Sequence, residues 1–285
     1  MDVGIIGLGL VGAAVAQRLM KTGHSTHGYD IAPAARASAA DAGVEVHANA
    51  AEVAARASTL FLCMMTSEDR RTLLWGDQAL AEALQPDTLL LDVSTSRPKD
   101  IVEDGKRLAP RQVRLVDVCL SGSSAVIARG QALALVGDSA TNASYRGLLT
   151  AFTKAQYFFD RPGEGNRMKL IVNMAFGLNR LVLAETLGVA ARAGFDLNVV
   201  LDVLKAGDTY AACMDAKGPK MTSGVYEPPA ARLAQHAKDV DLILEVARAV
   251  GARAPVSELH AQLLQELITT GAGGLDNAAI FKAFQ

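Results

Sequence analysis

The chain opens with a short apolar run, DVGIIG, that leads directly into Gly7-Leu8-Gly9-Leu10-Val11-Gly12 and then into the helical pattern AAVAQRLMKTG. No other stretch constrains the fold as tightly. The run reads as a strand, the glycines as a turn and the rest as a helix. The first glycine permits the tight turn, the second lets backbone amides approach a pyrophosphate, and the third lets helix pack on strand. The phosphates would sit at the positive end of the helix, with Leu8, Leu10 and Val11 completing the contact surface.

A second strand, THGYD, ends in Asp30, eighteen residues after Gly12. A carboxylate there can hydrogen-bond both hydroxyls of an adenosine ribose and would repel a 2′-phosphate, so NAD is the expected cofactor. Arg36 nearby keeps NADP possible. The plain structural alternative is that Asp30 caps the turn into IAPAARAS.

Strand and helix patterns then alternate. VEVHA, TLFLCMM, TLLLDV, VRLVDV, ALALVG and AQYFF read as strands; AAEVAARA, the segment from TSEDRR, the segment from Arg97 and a stretch from Ser139 to Thr150 read as helices. Such alternation predicts an α/β, Rossmann-type, doubly wound sheet. After Gly163 only helical patterns remain, broken at Gly194, Gly207, Gly218-Pro219, Pro228-Pro229, Gly251 and Gly271 to Gly274. The expected organisation is a dinucleotide-binding domain over 1–162 and an all-α domain over 163–285, joined by a long inter-domain helix.

Over 285 residues, half are hydrophobic, a fifth are charged and the formal net charge is −2. No basic run or aromatic stripe points to nucleic acid. The apolar N-terminus lacks the positive flank of a signal peptide, and Asn173, Asn179, Arg180 and Glu185 interrupt the apolar central helix, so neither export nor a membrane is expected. Cys63, Cys119 and Cys213 are odd in number and far apart, which suits buried thiols in a reducing cytoplasm. The five histidines show no metal-ligand spacing, and no metal is expected.

Within the central helix, Gly163 to Gly194, Lys169 and Asn173 are four apart and share one face. An ammonium is costly in apolar surroundings, so the pair should face a cleft or ligand, and a desolvated lysine suits acid–base chemistry. The plain alternative is a lysine that reaches water beside an asparagine capping a loop. Three polar clusters fall where strands end: Met65-Thr66-Ser67, Ser94-Thr95-Ser96 after Asp92, and Ser121-Gly122-Ser123-Ser124 after Asp117. Ligands of such sheets lie beyond these strand ends, and small hydroxyl residues can donate hydrogen bonds to a carboxylate or ribose. Any one cluster could be an ordinary turn; three beside a nucleotide motif favour a site.

Together these residues resemble the β-hydroxyacid dehydrogenase family, which contains 3-hydroxyisobutyrate dehydrogenase and tartronate semialdehyde reductase. Gly7, Gly9 and Gly12 match its glycine fingerprint, and Asp92 to Pro98 its D-x-S-T-x-x-P segment. Ser121-Gly122 matches the start of its S-G-G loop, with Gly130 and Gly137 at later glycine positions. Gly163, Gly165, Lys169 and Asn173 match G-x-G-x-x-x-K-x-x-x-N, and Lys238-Asp239 a K-D pair. The resemblance implies hydride transfer between a nicotinamide and a small 3-hydroxy acid or its semialdehyde. Lys169 would be the acid or base and Asn173 would hold the hydroxyl. Ser121, Gly122 and Ser123 would bind the carboxylate. Thr95 would seat nicotinamide or substrate. Met64, Met65, Thr66, Ser94 and Lys238 would lie by the cofactor. For Lys238 the alternative is an ion pair with Asp239 or Glu245. The resemblance also implies a 6-phosphogluconate dehydrogenase-like helical domain and a homodimer or homotetramer. Cys119 replaces a usual proline, Ser123 and Val126 usual glycines and Ala231 a frequent phenylalanine, so the substrate is left open. An imine reductase and a non-catalytic dinucleotide-binding scaffold are the rival readings, and Lys169 counts against both.

Overall fold

The computed structural model describes residues 1–77, 79–139 and 143–285. Packing divides the chain into two units, Met1–Lys169 and Leu170–Gln285.

The first unit is built on eight strands: β1 Asp2–Ile6, β2 Ser25–Tyr29, β3 Glu45–Val46, β4 Thr59–Leu62, β5 Leu89–Asp92, β6 Arg114–Ser121, β7 Ala132–Val136 and β8 Thr153–Phe158. Its helices are α1 Leu10–Lys21, α2 Pro33–Asp41, α3 Ala50–Arg56, α4 Ser67–Trp75, α5 Leu80–Ala83, α6 Pro98–Leu108, α7 Ser124–Ala128 and α8 Arg146–Thr150. The sheet order is β3-β2-β1-β4-β5-β6-β7-β8, parallel from β3 through β6 and between β7 and β8. This is the doubly wound α/β sheet expected from the strand–helix alternation.

Three local departures have physical causes. β7 runs antiparallel to β6, because the connection at 122–131 is shorter than the dozen or so residues a parallel crossover needs. VEVHA contributes only two ladder residues at the sheet's edge, followed by one further bond from His47 N–H to the Gly28 carbonyl. The helix expected over Ser139–Thr150 is helical over Arg146–Thr150; residues 140–142 of that stretch lie outside the described residues.

Side chains alternate along the strands and feed two cores. Val3, Ile5, Phe61 and Leu91 pack on one face with Val15, Leu19, Ile127 and Leu148. Ile6, Leu60, Leu62 and Leu90 pack on the other with Val53, Leu80 and Ile101. That period-two pattern is the reason parallel strands buried on both faces read as continuous apolar runs. Each fully buried aliphatic or phenyl side chain contributes about 1.5–3 kcal/mol.

The helical pattern after Gly163 resolves into α9 Glu164–Arg192, α10 Leu197–Ala206, α11 Ala212–Ser223, α12 Leu233–Ala249 and α13 Pro255–Thr269. The second unit has its own core, with Leu183, Ala184 and Leu187 of α9 against Leu201, Met214, Leu233, Leu264 and Phe281. By length and composition alone α9 could cross a membrane. Its first six residues belong to the sheet unit and the rest to the helical unit.

Candidate active site

All strands from β1 to β6 point the same way, so the segments that follow them share one edge of the sheet. At β1 the chain turns through Gly7 at φ +93°, where a Cβ would meet the Cys63 carbonyl oxygen at 2.5 Å. Gly12 has a packing reason: its Cβ would lie 1.9 Å from the Gly7 oxygen. Gly9, the N-cap of α1, is different, since a Cβ there meets nothing within 4 Å. Clear space thus lies in front of the unsatisfied N–H groups of the first helical turn, where an anionic group fits.

Asp30 closes the rim of that space. Its carboxylate accepts from Leu8 N–H at 2.7 Å and from Ala32 N–H at 2.8 Å, so it caps the turn after β2 and is held in one orientation. Lone pairs remain on both oxygens for hydroxyl donors. The Arg36 guanidinium donates to the carbonyls of Asp30 and Ile31 at 2.6 and 3.2 Å.

The ends of β4, β5 and β6 are tied together by Ser94. Its hydroxyl accepts from Met64 N–H at 2.9 Å, its own N–H donates to the Asp92 carboxylate at 2.9 Å, and its carbonyl accepts from the Cys119 thiol at 3.2 Å. Met64 is half-buried, Met65 is exposed and Thr95 is partly open. The Thr66 hydroxyl is engaged in the capping box of α4, accepting from Asp69 N–H and donating to the Asp69 carboxylate at 2.7 Å. Burial pushes the thiols of Cys63 and Cys119 well up, which makes both poor nucleophiles.

Beneath these segments lies a buried ionic cluster. Arg70 donates to Asp92 at 2.7 Å, to the Ser96 hydroxyl at 2.8 Å and to Asp104 at 2.9 and 3.1 Å; Asp104 also accepts from the Trp75 indole at 3.2 Å. Burial lowers the Arg70 pKa, but the two carboxylates outweigh it and the net shift is upward. The cluster fixes the loop that carries Ser94, Thr95 and Ser96.

A second buried group, Asp117, places the start of α9. One carboxylate oxygen accepts from Gly163 N–H at 2.9 Å and the other from Asn166 N–H at 2.8 Å, so Asp117 caps α9 from β6. Asn166 in turn accepts from Ser96 N–H at 2.7 Å. Burial raises the Asp117 pKa against the lowering effect of those donors. Glycine is required around it. A Cβ on Gly137 would lie 2.1 Å from Asp117 Oδ1, and one on Gly165 would lie 2.5 Å from the Leu135 oxygen and 2.9 Å from Asp117 Oδ2; Gly163 has φ +85°. Lys169 is three residues beyond Asn166 on the same helix face. It is half-buried, and its ammonium favours the thiolate form of Cys119.

At the end of β6, Gly122 has φ +141° and Ser123 caps α7, its hydroxyl accepting from Val126 N–H at 3.4 Å. In the helical unit, Asn173 donates through Nδ2 to Asp239 at 2.9 Å, and Lys238 pairs with the same carboxylate at 3.1 Å. The structure therefore gathers the glycine turn, Asp30, Met64 to Thr66, Ser94, Thr95, Ser121 to Ser123 and Lys169 in the sheet unit. Asn173 and Lys238 belong to the helical one. Three supporting residues are not evident from the sequence: Arg70, Asp104 and Asn166; Asp239 is visible only as part of the K-D pair, not as the partner of Asn173.

Comparison with known proteins agrees with this layout. A family model described as the NAD binding domain of 6-phosphogluconate dehydrogenase matches residues 2–160, and one described as the NAD-binding domain of NADP-dependent 3-hydroxyisobutyrate dehydrogenase matches residues 163–284. The chain belongs to the β-hydroxyacid dehydrogenase family. As a member, it is an NAD(P)-dependent hydroxyacid oxidoreductase. It is 28% identical to L-threonate dehydrogenase of Cupriavidus necator over 99% of this chain and 96% of that one. It is 25% identical to 2-(hydroxymethyl)glutarate dehydrogenase of Eubacterium barkeri, over 100% and 95%. Among solved structures, 3-hydroxyisobutyrate dehydrogenase from Salmonella typhimurium superposes with a TM-score of 0.91 at 25% identity, covering 99% of each chain. For this β-hydroxyacid dehydrogenase the similarity therefore spans both units.

Proposed function

We propose that the enzyme interconverts a small 3-hydroxy acid and the corresponding semialdehyde or keto acid, with NAD as redox partner and Lys169 as general acid and base. The observation that carries this reading is the bracing of Lys169 through Asp117 and Asn166, one helical turn before Asn173. NAD fits the open cradle before Gly9 and the oriented Asp30 carboxylate, and when bound it supplies the hydride acceptor for oxidation.

In oxidation Lys169 Nζ takes the proton of the substrate hydroxyl, and in reduction it returns it. One N–H of the Asn173 amide is held by Asp239 at 2.9 Å, and its second Nδ2 hydrogen donates to the oxygen of that hydroxyl and holds it in line. Lys238 steadies Asp239. Ser121, Gly122 and Ser123 receive the carboxylate, Thr95 seats the reacting groups, and the backbone of Met64, Met65 and Thr66 borders the nicotinamide. Preference for NAD over NADP is supported by the carboxylate of Asp30 and by Arg36, whose guanidinium is engaged with backbone carbonyls. The exposed Val182, Val189, Phe195, Val199 and Val203 support a homodimer or homotetramer, and the free Cys63, Cys119 and Cys213 a cytoplasmic enzyme.

The test is NADH or NADPH formation over a panel of L-threonate, 3-hydroxyisobutyrate, glycerate, serine and 4-hydroxybutyrate. Lys169→Ala is expected to lower kcat about 10²–10⁴-fold with NAD binding retained. Full turnover by that variant would overturn the role of Lys169, and absence of turnover by the wild type in either direction would favour an imine reductase or a scaffold.

A further inference from the structure

At the outer edge of the sheet, a cluster that the reaction does not use lies between β2, β3 and the start of α3. Pairing of the two strands sets His27 opposite Glu45, and the residue after β3 brings in His47. His27 Nδ1 lies 3.1 Å from His47 Nε2 and 3.5 Å from Glu45 Oε2, while His47 Nε2 lies 3.7 Å from Glu45 Oε1. All three side chains place a ligand atom within 4.8 Å of the others. Zinc bonds to nitrogen and oxygen are about 2.0–2.2 Å, so two ligand atoms of a tetrahedral site stand about 3.3–3.5 Å apart. The triangle here is the size of one face of such a site.

The surroundings match as well. Ligating histidines usually turn their second nitrogen to a carboxylate, which fixes the ring and strengthens it as a ligand. His27 Nε2 faces Asp2 Oδ1 at 3.5 Å; Glu52 Oε2, 4.0 Å from His47 Nδ1, adds charge but no hydrogen bond to that ring, since it accepts from Ala48 N–H at 3.1 Å. Three carboxylates therefore surround two imidazoles, an excess of negative charge that a dication reduces from −3 to −1. Both imidazoles are almost fully buried while Glu45 is 61% exposed, so the ligands are rigid and the site has an entry path. His27 and His47 are twenty residues apart, a spacing with no ligand signature, and only strand pairing brings them together.

We propose that His27, His47 and Glu45 bind a zinc-class divalent cation, with water in the fourth position, as a clip that holds the short β3 against β2. The test uses full-length, metal-stripped protein titrated with zinc chloride or cobalt chloride, followed by bound metal per chain, the visible absorption of four-coordinate cobalt, and Tm. One equivalent should bind and raise Tm. Glu45→Gln, at an exposed position where folding is not at stake, and His47→Gln should each weaken binding by ten-fold or more. Asp2→Asn should weaken it about ten-fold without removing a ligand. Unchanged affinity in Glu45→Gln and His47→Gln, or no stoichiometric metal in the wild type, would overturn the proposal.

Discussion

In the sheet unit Arg70 is fully buried with Asp92, Asp104 and the Ser96 hydroxyl in reach of its nitrogens. In the helical unit Arg180 is as deeply buried, yet its Nε and Nη2 have no partner among the described residues. Its neighbours are His236 and His260, whose rings lie 5.1 Å apart. Burial is the leading cause in each case: it drives His236 well down, His260 down to about 4 and Arg180 down to about 10. The Arg70 cluster holds buried charge by pairing it, as the helical unit itself does at Lys217 and Asp276, 2.7 Å apart, whereas around Arg180 burial is tolerated by keeping the imidazoles neutral. The first strategy fixes geometry, which suits the unit that carries Lys169; the second leaves a region whose stability depends on pH.

The largest effect should come from breaking the paired cluster. Asp92→Ala leaves Arg70 with one carboxylate and is expected to cost about 3–5 kcal/mol in urea denaturation. A loss under 1 kcal/mol would show that the cluster is not the rigid support described. Gly165→Ala pushes a methyl group against the Leu135 carbonyl and Asp117, and should cost about 1–3 kcal/mol. It should also lower kcat more than it weakens NAD binding, because α9 moves while the glycine turn does not.

The next effect separates the units by sign. Unfolded histidine binds its proton near pH 6.5 and folded His260 only near 4, so unfolding takes up protons between these values and stability falls as pH drops. Between pH 7 and 5 this one group should cost the helical unit about 2 kcal/mol, and His236 adds in the same direction. Asp117 acts oppositely: its raised pKa means the sheet unit gains stability as the carboxylate is protonated in acid. Hydrogen exchange measured at pH 7 and pH 5, corrected for intrinsic rates, should show protection falling in α12 and α13 before it falls in β5 and β6. Equal losses in both would dissolve the contrast. The smallest effect is expected from Arg180→Met, which should raise stability by about 1 kcal/mol, since it removes a buried charge with unpaired donors. Destabilisation comparable to Asp92→Ala would place Arg180 in the paired class.

What the sequence disclosed follows from the range of each interaction. The strand, glycine turn and helix from Asp2 to Lys21 are set by neighbours, so they are readable in order. The eight strands and the change to helices after Gly163 likewise follow from apolar patterning. Lys169 and Asn173 stand out because polar residues interrupt an apolar helix. The Arg70 cluster was hidden because its partners are 22 to 34 positions away, and an arginine among TSEDRR looks like any solvated face. The reversal of β7 depends on a connection length that matters only once β6 is placed. Asp239 was visible as part of a K-D pair, but its hold on Asn173 spans 66 positions.

The seat of Asp117 also bears on how sequences of this kind can diverge. Gly137 and Gly165 leave no volume for a side chain once the carboxylate is in place, Gly163 at φ +85° is closed by the Pro98 carbonyl, and without the carboxylate α9 loses its cap from β6. While Asp117 is kept, a side chain at Gly137 or Gly165 has no room, so those two glycines are tied to the aspartate. A distant chain that keeps this aspartate and its glycines keeps the scaffold that positions the lysine, whatever has become of the substrate loop.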